Sequence, residues 1–146
     1  MKTSDRSRTI TEVKARPPAR LSLTWSDGTR AMLDMNRFMI GRGAKVPRAA
    51  AAFAKVRVGE WGHSVEWSGG AALGADVLWL ETLSAIGRDD TRAFMEWRLR
   101  HGLSLAGAAS ALGVSRRMVA YYSNGDKPVP RPILLACKGW EVSVAA

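Results

Sequence analysis

The stretch SLAGAASALGVSRRMVAYYSNG, from Ser104 to Gly125, decides how the chain is read. Ser104 is placed to cap a helix whose inward positions are Leu105, Ala108, Ala109 and Leu112, spaced as one face of a helix requires. Gly113 ends that helix after about two turns. Ser115 then caps a second helix, Arg116 to Asn124, with Val119 and Tyr122 inward and Gly125 closing it. Two short helices joined by Leu112-Gly113-Val114-Ser115 must cross steeply, because so short a turn leaves little room for another geometry. The small Ala109 lets the two backbones approach, Gly113 can take a positive φ, and Val114 plugs the corner.

Working outward, Thr91 to His101 carries Phe94, Trp97, Arg98 and His101 at helical intervals, with Gly102 as the stop. Downstream, Pro130-Arg131-Pro132 opens a terminal helix whose Ile133, Leu134, Cys137 and Trp140 are expected to be core or dimer contacts. A small residue, a glycine four positions later, and apolar residues at Val114 and Val119 are the sequence form of a helix-turn-helix. With Gly102-Leu103-Ser104, Leu112-Gly113-Val114-Ser115-Arg116, and Asn124-Gly125 followed by Pro128 and Pro130, the region of about residues 88 to 141 resembles the Cro/lambda-repressor-like family. That resemblance implies that the second helix enters the major groove of double-stranded DNA, with contacts from Ser115, Arg116, Arg117 and Tyr121. The sequence departs from the family at Leu105, where Gln often touches phosphate, and at Ser123, where Glu is frequent.

Charge sharpens this assignment without making it. The chain has 22 Lys+Arg against 13 Asp+Glu, a formal net charge of +9 and a pI near 10.6. A polyanionic partner is the natural expectation, but the excess is spread over both halves of the chain. What distinguishes the helical segment is the interval from Trp97 through Gly125, which holds no Asp or Glu. There Arg98, Arg100, Arg116 and Arg117 are expected to supply positive charge without internal neutralisation. Arg116 and Arg117 fall in the first turn of the second helix, where a guanidinium can fork onto guanine O6 and N7 or onto phosphate. Ser115 and the free N–H groups beside it can hold a phosphate. Ser104, Lys127 and Arg131 complete the candidate DNA-contact set.

The first half reads differently, with short alternating runs giving way to helical spacing near Ile86-Gly87-Arg88-Asp89-Asp90, a connector. The division expected is a flexible basic N-terminus over 1–8, a small α+β domain over 9–86 and a DNA-binding domain over 87–146. Ile10 to Ala15, Leu21 to Trp25 and Arg30 to Asp34 read as strands, with Ser26-Asp27-Gly28-Thr29 as a turn. A short helix is expected from Pro47 to Phe53 and Ala54, then a strand pair, Val56 to Val58 and Ser64 to Trp67, and a turn at Ser68-Gly69-Gly70. Asp76 to Leu83 should form a helix placing Val77, Leu80 and Leu83 inward. Gly41, Gly43 and Lys45 do not match the spacing of a phosphate-cradling loop, and His63 reads as a solvated loop residue.

Trp25-Ser26-Asp27-Gly28-Thr29, Asp34-Met35, Phe53, Val56, Val58 and Trp67-Ser68-Gly69-Gly70-Ala71-Ala72-Leu73, with Asp76 and Leu78, resemble domain-of-unknown-function family 2442 over roughly residues 9 to 83. It departs from that pattern at Trp25, where Phe is usual, and at Ala72, where an acidic residue is usual. The resemblance implies a small bacterial domain that often stands beside toxin-antitoxin genes or is fused to a DNA-binding module, and it brings no enzyme activity.

The fold class expected is therefore an α+β N-terminal domain of antiparallel hairpins and short helices, followed by an all-α, lambda-repressor-like helix-turn-helix domain. A single Cys137 closes no intramolecular disulfide and makes no structural zinc site, so a reducing cytoplasm is the expected compartment. The polar opening Met1 to Arg8 gives no expectation of export, and no stretch reaches the roughly 20 apolar residues of a spanning helix. Two His and one Cys leave little for acid–base or nucleophilic chemistry. Hence no enzyme activity, cofactor or metal is expected. The function expected is a sequence-specific DNA-binding regulator working as a homodimer. The alternative is an antitoxin or adaptor whose N-terminal domain binds a toxin or other protein.

Overall fold

A computed structural model describes residues 8–40 and 45–145. Most of the basic N-terminus and positions 41–44, with Gly41 and Gly43 of the glycine-containing loop, lie outside the described residues. The chain forms two compact units that meet in sequence between Ile86 and Gly87.

In the first unit, β1 (Ile10–Arg16), β2 (Arg20–Trp25) and β3 (Arg30–Asp34) form an antiparallel sheet in chain order, with an irregularity in β1 between Ile10 and Glu12. Alternation decides the two faces. Leu21, Leu23, Trp25 and Leu33 are buried, while Lys14, Arg16, Arg20, Arg30 and Asp34 stand on the solvent side. The Asp27 carboxylate closes the second hairpin by accepting from the Thr29 N–H at 2.9 Å. Arg8 is not part of a loose tail: its Nε lies 3.2 Å from the Asp27 carboxylate and its guanidinium 4.0 Å from the centre of the Trp79 ring.

Two short helices follow, α1 (Asn36–Met39) and α2 (Ala50–Phe53), then β4 (Arg57–Val58), β5 (Ser64–Glu66), β6 (Ala72–Gly74) and α3 (Ala75–Ala85). The expected second strand pair is a three-stranded antiparallel sheet, because Gly69 and Gly70, both at φ +90°, turn the chain back as β6. α1 and β6, of four and three residues, are too short to show a period in the sequence. α2 starts at Ala50 rather than at Pro47. In α3, Val77 is 36% exposed, contrary to expectation, and the buried face is Leu78, Trp79, Thr82 and Leu83. The helix turns that face inward because Trp25 docks on it, edge to face with Trp79 at 5.1 Å, its Nε1–H donating to Thr82 Oγ1 at 3.0 Å.

The second unit is helical: α4 (Asp89–Arg100), α5 (Leu105–Leu112), α6 (Arg116–Asn124) and α7 (Arg131–Ala145). Phe94, Trp97, Leu105, Ala108, Ala109, Val119, Ala120, Tyr122, Val129 and Cys137 form its core. α4 begins at Asp89, two residues before Thr91, because Asp89 and Asp90 occupy its first turn rather than a connector. The N–H groups of Gly113 and Val114 both donate to Ala109 O, and Gly113 sits at φ 71° and ψ 32°, which fixes the reversal between α5 and α6.

Candidate nucleic-acid interface

The first turn of α6 is built by its cap. Ser115 Oγ accepts from the Met118 N–H at 3.0 Å, and Ser104 caps α5 in the same way from Gly107 at 2.9 Å. Both oxygens are engaged as acceptors, which leaves each hydroxyl proton free to donate outward. Arg116 and Arg117 follow Ser115, both exposed. Neither has an ion-pair partner among the described residues, and the same holds for Lys127 and Arg131. Tyr121 lies one turn beyond Arg117 on the same side of the helix and is half-buried. The Lys127 ammonium stands 4.9 Å from the Tyr121 ring centre, so the loop after α6 folds back on the helix.

Ser115, Arg116, Arg117, Tyr121 and Lys127 thus belong to one helix and its exit. Ser104 sits apart at the start of α5 and Arg131 opens α7; neither is hydrogen-bonded to the other candidates. Val119 and Tyr122, expected to point inward, are buried beneath this face, whereas Met118 is only partly covered.

Two arginines of the acid-free interval are spent elsewhere. Arg98 is 5% exposed; its Nη1 donates to Ser123 Oγ at 2.8 Å, and its Nε and Nη2 donate to Leu103 O. Arg100 donates twice to Glu141 Oε2, at 3.0 and 2.9 Å, and His101 Nε2 meets the same oxygen at 2.6 Å. Those bonds from His101 and then Arg100 hold the Glu141 carboxyl below its ordinary value. Sequence distance hid this neutralisation, since Glu141 lies far outside the interval. The acid-free run therefore leaves Arg116 and Arg117 as its outward cations.

Residues not anticipated as important fix where α6 ends. Arg88 Nη1 donates to Gly125 O at 3.2 Å, and Asp90 Oδ2 accepts from the Val129 N–H at 2.8 Å. Burial acts to raise the Asp90 carboxyl, but the N–H groups of Val129 and Thr91 and the Arg88 guanidinium outweigh it, leaving the acid stronger than usual. Cys137 is the opposite case, with burial and then the Glu141 charge pushing its thiol up to about 11, so it is a poor nucleophile. His63 is exposed, in keeping with a loop residue. Among the described residues no group of His, Cys, Asp and Glu is arranged to hold a metal ion, and no helix is long and apolar enough to cross a membrane.

The chain is thus a two-part protein, an antiparallel β-rich unit followed by a helical unit in which the first turn of α6 is basic and exposed. It belongs to the family described as "Protein of unknown function (DUF2442)", whose pattern matches residues 10–82. It is also similar to a crystal structure of a protein from Nitrosomonas europaea ATCC 19718 described as a "Putative DNA Binding Protein", with 38% identity and a TM-score of 0.68. That similarity covers 94% of this chain and 89% of the other, so it spans both units. No curated protein matches the chain.

Proposed function

We infer that the protein is a sequence-specific DNA-binding transcriptional regulator, in which α5 and α6 act as a repressor-like helix-turn-helix and α6 lies in the major groove. The observation that carries this reading is the pair Arg116 and Arg117: exposed, without ion-pair partners and capped by Ser115, on a helix that holds no acidic residue. A duplex meeting the first turn of α6 encounters donors there, the nearest acid in sequence being the exposed Asp126 beyond Gly125. The relative described as a "Putative DNA Binding Protein", matched along both units, supports the same direction. Arg116 and Arg117 read base edges or grip phosphate, Tyr121 contacts the duplex beside them, and Ser115, Ser104, Lys127 and Arg131 set the register. One small unit makes few base contacts. The protein therefore works as a homodimer on two half-sites about one turn of DNA apart.

Selection from random duplexes would yield the operator. On that operator Arg116→Ala and Arg117→Ala should each weaken binding by roughly 1–3 kcal/mol, and affinity should fall steeply with salt. Operator affinity unchanged in both variants would overturn the assignment.

A further inference from the structure

The outer face of the first sheet carries a charge arrangement that the DNA reading does not use. Register places Arg16 of β1 directly opposite Arg20 of β2, and Arg20 opposite Asp34 of β3. Side chains of directly opposed residues stand on one face within touching distance. Two always-charged arginines thus occupy opposed positions on one face at the end of a hairpin, a like-charge pairing that an anion bound beside them would relieve. Both side chains are exposed, and neither Arg16 nor Arg20 has a hydrogen bond or ion pair from its guanidinium among the described residues. Asp34, the one acid of the group, turns Oδ1 to the Asn36 N–H at 2.8 Å instead of pairing with Arg20.

These residues line an open cavity of about 610 Å³. Its wall is Arg16, Pro17, Pro18, Ala19 and Arg20 on one side, with Met32, Asp34 and Asn36 on the other. The volume is in the range of small-molecule sites. Pro17 and Pro18 carry no N–H, so the hairpin end offers an incoming anion few backbone donors, and the guanidiniums and the Asn36 amide are the groups left to hold it. Met32, 47% exposed, provides an apolar margin.

The geometry points to a binding site for a phosphate-class oxyanion at this hairpin end, with Arg16 and Arg20 as a two-guanidinium clamp. Phosphate suits it better than a single carboxylate. Two forked cations offer several N–H donors, and phosphate has three or four oxygens to accept them where a carboxylate has two. The ligand is a phosphate ester, either on a free phosphorylated molecule or in a nucleic-acid backbone. The site rests on the first unit alone and stands or falls apart from the role assigned to α6.

The test is an NMR titration of the full chain with inorganic phosphate in chloride at constant ionic strength. Saturable shifts should gather at residues 16–20 and 34–36, and the Arg16→Gln/Arg20→Gln variant should lose at least tenfold in affinity. Asp34→Asn, which removes a competing charge but keeps an acceptor for Asn36, should tighten binding. Phosphate should raise the melting temperature of the parent protein but not of the double variant, which without phosphate should melt no lower than the parent. Two further arms separate the sources. If the double variant binds random duplex more weakly, with a shallower salt slope, the phosphate is that of a nucleic-acid backbone. If duplex binding is unchanged while a nucleoside monophosphate is bound and then lost in the variant, it belongs to a free molecule. No saturable shift at the hairpin, equal shifts with acetate, or shifts that persist in the double variant would overturn the proposal.

Discussion

Arg98 shows how one side chain can carry a junction. Its guanidinium is buried where α4 ends, and it ties Leu103 O, just before α5, to Ser123 on α6. Arg98→Leu keeps much of the stem but leaves the carbonyl and the hydroxyl without this donor, so it should cost about 2–3 kcal/mol in urea unfolding of the helical unit. A loss below about 0.5 kcal/mol would mean that water replaces the guanidinium. Asp90 gives a pH dependence whose sign follows from its lowered folded-state value. A carboxylate stabilised as the anion contributes stability above its unfolded value, near 4, and that contribution is lost as pH falls through the lower folded value. Melting of the parent should therefore drop more steeply than that of Asp90→Asn between about pH 5 and pH 2, and parallel curves would remove Asp90 from the acid limb. Neither role was legible in the sequence. Arg98 fell in a run read as open positive charge and Asp90 in a connector, because a single sequence shows spacing along the chain and not the partner that folding brings across it.

At the scale of elements, local rules worked where the chain itself supplied the constraint. The bounds of α5 and α6 follow from Ser104, Gly113, Ser115 and Gly125, since caps and stops act within one turn of the residue that makes them. They failed where the deciding partner lay elsewhere: α3 rotated toward Trp25, exposing Val77, and β6 exists only because β5 offers it an edge. Gly113 is the element-scale test. A Cβ there would meet nothing within 4 Å, so substitution costs only the left-handed backbone. Gly113→Ala should lower stability by about 1–2 kcal/mol with the helices intact by circular dichroism. A loss beyond about 4 kcal/mol would indicate that the turn moves and α6 with it.

At the scale of the molecule, the net charge of +9 does not identify a binding face, because basic residues are common to both units and several, among them Arg8, Arg88, Arg98 and Arg100, are paired or buried. Unfolding one unit at a time tests whether the local charge at Arg116 and Arg117 marks the binding face. The two buried clusters share no residue: Phe53, stacked on Trp67 at 6.2 Å, belongs to one, and Phe94, at 5.5 Å from the Tyr122 ring, to the other. Each truncation to Ala should remove about 3–5 kcal/mol from its own unit, enough to unfold a marginal one. Phe94→Ala should then abolish operator binding at a temperature where the helical unit has melted, while amide protection persists in β1–β3. Phe53→Ala should strip protection from the sheet and leave operator affinity within about threefold of the parent, a difference under 1 kcal/mol. Equal losses of affinity in the two variants would place the DNA-binding surface on both units and would make the sheet part of the recognition device.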